Sequence, residues 1–138
     1  MDAAKLAQIC QGTVWDADGI SVGRVCIDSR RCMAGDVFFA LRGRTDGHRY
    51  VAAAREAGAC FVIVESGREI TGPRIEVTDP LRALQHYAGW VRRHRIGRVL
   101  AITGSNGKTI VKDALTTILM GVMKVACSPG SYNSQIGV

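Results

Sequence analysis

An α/β protein in two parts is what the sequence predicts: a small α/β domain over residues 1–96, then the first strand–loop–helix unit of a parallel-sheet domain over 97–138. Three observations carry this. Short apolar runs alternate with helix-patterned segments along the whole chain. Hydrophobic residues make up 47% and charged residues 22%, which is globular composition rather than disordered. A glycine loop ending in Lys-Thr joins an apolar run to a helix near residue 107.

In chain order, Lys5 to Cys10 reads as a short helix. Thr13 to Trp15 and Gly23 to Ile27 read as short strands, separated by the turn signal Asp18-Gly19. Asp36 to Leu41 is a nearly continuous apolar strand. The alanine-rich segment His48 to Ala57 is a helix that stops at Gly58. Cys60 to Val64, C-F-V-I-V, is a strand buried on both faces, and Arg74 to Thr78 is a shorter strand. Asp79 caps the next helix, with Pro80 at its first position and Leu81, Leu84, Ala88 and Val91 on one face. That helix ends in Arg92-Arg93-His94-Arg95, either a solvated terminus or an anion-binding patch. Trp15, Tyr87 and Trp90 read as packing residues, and His86 and His94 as surface residues. Ile96-Gly97 marks the domain boundary. Arg98 to Thr103 begins a new strand, and Gly104 to Gly107 is a loop. Lys108 to about Gly121 is a helix burying Ile110, Val111, Ala114, Leu115, Ile118 and Leu119, and Lys124 to Cys127 is a last short strand.

Composition narrows the function classes. Lys and Arg total 18 against 12 Asp and Glu, a net charge of +6 that favours anionic partners. Nucleic acid is disfavoured, because the cations are scattered and aromatics are only 6% of the chain. The longest apolar runs are about five residues, against about 20 for a membrane-spanning helix, so no membrane insertion is expected. The start, Met1-Asp2-Ala3-Ala4-Lys5, lacks the pattern of a secretory signal. The five cysteines include no C-x-x-C pair. They read as reduced, mostly buried thiols of a cytoplasmic protein, with a disulfide or zinc site as the alternative.

Chemistry concentrates in Ala101-Ile102-Thr103-Gly104-Ser105-Asn106-Gly107-Lys108-Thr109. Strand, glycine loop and helix in this order are the context of a phosphate-binding loop. Gly104 and Gly107 let backbone N–H groups turn inward, with Ser105 and Asn106 between them. The helix start adds about half a positive charge. Lys108 is placed to reach outer phosphates and Thr109 to ligate Mg²⁺. Ile102 stands where the longer G-x-x-x-x-G-K-[ST] form has glycine, so the loop is a shorter variant.

Thr103 to Asp113 closely resembles the ATP loop of the Mur ligases, T-G-[ST]-N-G-K-T-T, with Ile110 in place of the second Thr. Asp28-Ser29-Arg30 followed by Ala34-Gly35-Asp36-Val37-Phe38-Phe39-Ala40-Leu41 is similar to the family's D-[ST]-R…P-G-D-[LV]-F-[VF]-A-L. Gly43 with Asp46-Gly47-His48 is similar to its G-x-x-x-D-G-H. Tyr132-Asn133-Ser134-Gln135-Ile136-Gly137 resembles F-N-N-x-I-G. These four ordered blocks look most like the type that adds D-alanyl-D-alanine to UDP-N-acetylmuramoyl-tripeptide.

The resemblance implies a cytoplasmic, ATP- and Mg²⁺-dependent ligase of peptidoglycan precursor synthesis. An acyl phosphate is formed on the substrate carboxylate and attacked by the D-alanyl-D-alanine amine. Residues 1–96 would bind UDP-N-acetylmuramoyl peptide through Asp28, Ser29, Arg30, Asp46, Gly47 and His48, with Asn133 added from the second part. Gly104, Ser105, Asn106, Gly107, Lys108 and Thr109 would hold the ATP phosphates, with Lys108 catalytic. No obligate protein partner is evident. The alternatives are a diaminopimelate- or lysine-adding Mur ligase, folylpolyglutamate synthetase, or a non-catalytic UDP-sugar-binding module. The chain ends inside a motif, and residues 97–138 are expected to leave Ile110, Ala114, Leu115 and Ile118 partly exposed. On that ground the 138-residue chain alone is expected not to catalyse ligation.

Overall fold

The computed structural model describes residues 1–17, 19–95 and 97–128. Asp18 of the first turn, Ile96 of the boundary, and the whole 132–137 motif with Asn133 lie outside the described residues. The chain divides into two units, Met1–Ile96 and Gly97–Val138.

The first unit is built on a five-stranded sheet of β1 (Thr13–Trp15), β2 (Val25–Cys26), β3 (Val37–Phe39), β4 (Phe61–Glu65) and β5 (Arg74–Val77). The spatial order is β1-β5-β4-β3-β2, parallel throughout except for β1, which pairs antiparallel with β5. Alternation along the central strands fills two cores, because successive side chains point to opposite faces. Val37, Phe39, Phe61, Ile63, Ile75 and Val77 pack on one face against α1 (Ala3–Cys10) and α3 (Pro80–Arg95). Phe38, Ala40, Val62 and Val64 pack on the other against Val51 and Ala54 of α2 (Val51–Glu56) and against Cys26 and Cys32. The α/β class expected from the sequence is the class observed.

Several elements differ in detail. The expected helix over 48–57 opens as a 3-10 turn, Gly47–Tyr50, before α2. On α3 the buried side is Pro80 and Ala83, with Leu84 and Tyr87 packed beside them, whereas Ala88 is exposed. Trp15 is not a packing residue of the core. It is 45% exposed on the edge strand, with the Arg74 guanidinium 5.0 Å from its ring. Trp90 stacks on the exposed His94 with ring centroids 4.7 Å apart. The cysteines are free thiols, with Cys10, Cys26 and Cys32 buried, Cys60 half-buried and Cys127 exposed. Burial pushes the Cys10 thiol up to about 12.

The second unit contains α4 (Lys108–Met120). The segments 98–103 and 124–127, expected as strands, are not strands in the structure. A strand exists only when a partner takes its N–H and C=O groups, and among the described residues of this unit there is none. Val99 and Leu100 are 54% and 66% exposed in consequence. No residue of α4 is buried, and Ile110 and Ile118 are 76% and 68% exposed. The buried side expected for this helix is therefore corrected, while the expected partial exposure is observed, with Ile110, Ala114 and Ile118 exposed and Leu115 half-buried.

Candidate functional site

In the first unit both polar motifs follow the carboxyl ends of neighbouring parallel strands, β2 and β3. Loops at that edge are where open α/β sheets bind ligands. The Asp28 carboxylate caps the 3-10 turn Ser29–Arg31 by accepting the Arg30 N–H at 3.1 Å. Arg30 returns a bidentate grip, Nε to Oδ1 at 3.0 Å and Nη2 to Oδ2 at 2.8 Å. The Arg30 side chain, then its backbone N–H, hold the Asp28 carboxyl below the usual range. Ser29 is buried under the turn and Arg30 is exposed.

The second loop is drawn tightly onto β3. The Gly47 N–H donates to the Leu41 carbonyl at 2.9 Å. A Cβ on Gly47 would lie 2.5 Å from that oxygen and 2.8 Å from the Leu41 nitrogen, so only glycine fits. Asp46 Oδ1 accepts from the His48 N–H at 3.1 Å and from His48 Nδ1 at 2.5 Å. His48 Nε2 accepts the Glu65 N–H at 2.9 Å, which places the ring proton on Nδ1. The His48 side chain is 5% exposed, and neither nitrogen is left for proton transfer. Hydrogen bonding by the His48 ring and then by its N–H lowers the Asp46 carboxyl to about 2. Asp46 Oδ2 also accepts from Arg68 Nη2 at 3.0 Å, and the same nitrogen lies 3.4 Å from Glu65 Oε2. Arg42 Nη2 donates to that Glu65 oxygen as well.

The fold brings the two motifs together. The Ser29–Arg31 turn packs against α2, the helix that continues directly from the Gly47–Tyr50 turn, and Tyr50 lies within electrostatic range of Arg30. The motif side chains are committed largely to one another. The exposed Arg44 and Arg49 flank Asp46-Gly47-His48 and make no ion pair among the described residues. Sequence reasoning missed Arg42, Glu65 and Arg68. The available signal was Glu65, a carboxylate ending the apolar run of β4 at the same sheet edge. Two clefts, of about 620 and 400 Å³, lie elsewhere on the unit, beside Val14 and Ile20 and beside Thr78 and Arg82. Neither is lined by a motif residue.

In the second unit, Gly104 at φ 150° and Gly107 at φ 76° occupy backbone conformations that favour glycine. Gly107 precedes the 13-residue α4 and offers no side-chain cap to its first turn. Lys108 Nζ folds back over the loop, donating to the Gly104 and Ser105 carbonyls at 2.5 and 3.4 Å. An ammonium beside the N-terminus of a helix suits a phosphate.

A mostly parallel sheet with polar loops at its carboxyl edge, followed in the chain by a lysine-bearing glycine loop at a helix start, defines a protein of the α/β class. Residues 21–93 match the model of "Mur ligase family, catalytic domain", and the chain belongs to that family. Over 127 residues it is 36% identical to the UDP-N-acetylmuramoyl-tripeptide–D-alanyl-D-alanine ligase of Synechocystis sp., covering 88% of this chain and 28% of the relative. The crystal structure of MurF from Acinetobacter baumannii superposes with a TM-score of 0.89 at 31% identity, over 99% of this chain and 31% of that one. MurF ligase from Thermotoga maritima in complex with ADP superposes with a TM-score of 0.73 at 29% identity, over 87% and 28% respectively. The chain spans about 30% of the length of the curated relatives it matches.

Proposed function

We propose that this chain supplies the UDP-substrate unit and the opening of the ATP unit of a ligase that joins D-alanyl-D-alanine to UDP-N-acetylmuramoyl-tripeptide. The observation that carries the reading is the Gly104–Thr109 loop: two glycines at positive φ, leading into the start of a 13-residue helix, with an adjacent lysine. Relatives named for that reaction, and a neighbour holding ADP, support it. The ATP phosphates would draw Lys108 Nζ off the Gly104 and Ser105 carbonyls, while the loop N–H groups and the start of α4 share the anionic charge. Thr109 would offer one oxygen to Mg²⁺, and the phosphates would offer others. Among the described residues no three His, Cys, Asp or Glu side chains gather around a metal. Bound Mg²⁺ supplies charge neutralisation on the transferred phosphoryl group. The Asp28–Arg30 and Asp46–His48 loops, with the exposed Arg44 and Arg49, would face the UDP part of the substrate. Among the described residues no helix is long and apolar enough to cross a membrane.

The test is titration of the chain with UDP-N-acetylmuramoyl-tripeptide and, separately, with MgATP, followed by backbone amide shifts. The first is expected to move residues 28–30 and 44–50, and the second residues 104–109. Responses confined to other residues would overturn the assignment. In a ligase of full family length carrying this sequence, Lys108→Ala is expected to lower turnover 100- to 1000-fold. That is about 2.7–4 kcal/mol, the usual cost of losing a donor to charge that grows in the transition state. Steady-state phosphate release measures it.

A further inference from the structure

We propose that Arg68 is a positioning residue for ligand binding at the sheet edge: it locks the Asp46–His48 loop to the end of β4 so that the loop faces its ligand in one conformation. The inference rests on the reading of this edge as a UDP site. Arg68 comes from the segment after β4 and belongs to none of the motif blocks. Its Nη2 lies between two carboxylates from different elements, Asp46 Oδ2 at 3.0 Å and Glu65 Oε2 at 3.4 Å. The Glu65 backbone N–H holds His48 Nε2 at 2.9 Å, and His48 Nδ1 holds Asp46 Oδ1 at 2.5 Å. Asp46, His48, Glu65 and Arg68 therefore close a ring of hydrogen bonds that ties the loop to the strand end. Without Arg68, Asp46 loses its guanidinium partner and faces Glu65, which keeps only Arg42. Both contacts are made by the one nitrogen Nη2, so a lysine ammonium reaching the same point keeps part of the bridge.

A half-exposed arginine of this kind adds little to stability, but it selects one loop geometry, and binding depends on geometry held to a fraction of an ångström. The role thus separates affinity from stability. The experiment titrates the 138-residue chain and its Arg68→Ala and Arg68→Lys forms with UDP by calorimetry. The His48 ring nitrogens and the Glu65 amide are followed by NMR before ligand is added, and melting is recorded for each form. Arg68→Ala is expected to weaken UDP about tenfold and to shift the His48 and Glu65 signals in the free protein. Its melting midpoint should stay near that of the wild type, and Arg68→Lys should fall between the two in affinity. Unchanged affinity in Arg68→Ala beside a wild type that binds would overturn the inference alone. Weakened affinity with His48 and Glu65 signals in place would also overturn it, making Arg68 a direct contact. A wild type that does not bind UDP overturns the reading of the edge itself, and a ligand-positioning role with it.

Discussion

Gly47 and Asp46 show how single residues set the candidate site. Gly47 is fixed by approach rather than by φ: a methyl there meets the backbone of Leu41 and Ala40 within 2.5–2.9 Å. Gly47→Ala is expected to destabilise the first unit by about 1–3 kcal/mol through overpacking. For a unit of this size each kcal/mol lowers the melting midpoint by roughly 4–8 °C, which calorimetry resolves. Asp46 contributes a pH dependence. Its carboxyl is lowered to about 2 by His48, while the unfolded value is near 3.8. A depressed carboxyl stabilises the fold fully above the unfolded value, and that contribution is lost as pH falls through about 2. The Asp46 side-chain carbon resonance should accordingly titrate near pH 2, and His48→Asn should move its midpoint up toward the ordinary range. Both residues were legible as members of a motif. Their partners Glu65 and Arg68 were not, because a contact between residues 46 and 68 leaves no periodicity in the sequence.

At the scale of elements, the central strands β3 and β4 were readable because each is a short apolar run whose two faces are both covered. Phe38 and Phe39 are adjacent in sequence and feed opposite cores. Helix α4 behaves differently. Its apolar stripe is regular, yet Ile110, Val111 and Ile118 face water. Helices of this length take most of their stability from packing rather than propensity. The α4 amides are therefore expected to exchange with solvent orders of magnitude faster than those of β3 and β4, a contrast that hydrogen-exchange mass spectrometry reads directly. Protection of α4 equal to that of the sheet would contradict the exposure of its apolar side.

For the whole molecule, every residue of both buried clusters falls between Ala3 and Ala83. Residues 1–96 made as a separate polypeptide are expected to melt cooperatively, within a few degrees of the full chain, by circular dichroism. Ligation is another matter. The 138-residue chain spans about 30% of its relatives, and its second unit leaves Ile110 and Ile118 of α4 without most of the roughly 1.5–3 kcal/mol that burying such a side chain supplies. Given ATP, Mg²⁺, UDP-N-acetylmuramoyl-tripeptide and D-alanyl-D-alanine, the purified chain is expected to form no amide product. Turnover of about 1 per second or more, ordinary for an enzyme, would refute this.

By itself the sequence determined what is local. Apolar runs of strand length set the α/β class, Asp79-Pro80 set the start of α3, and Gly104 to Thr109 set a loop that leads into a helix. Each depends on neighbours in the chain, where propensity and spacing act directly. Tertiary structure alone decided what is shared between segments. It closed the hydrogen-bond ring of Asp46, His48, Glu65 and Arg68, buried His48 as a proton-fixed strut, and left Trp15 on an open edge. It also withheld strand structure from 98–103, whose apolar pattern calls for a partner that the described residues of its unit do not provide. Hydrogen bonds and burial are properties of pairs, and a sequence read in order shows only one member of each pair.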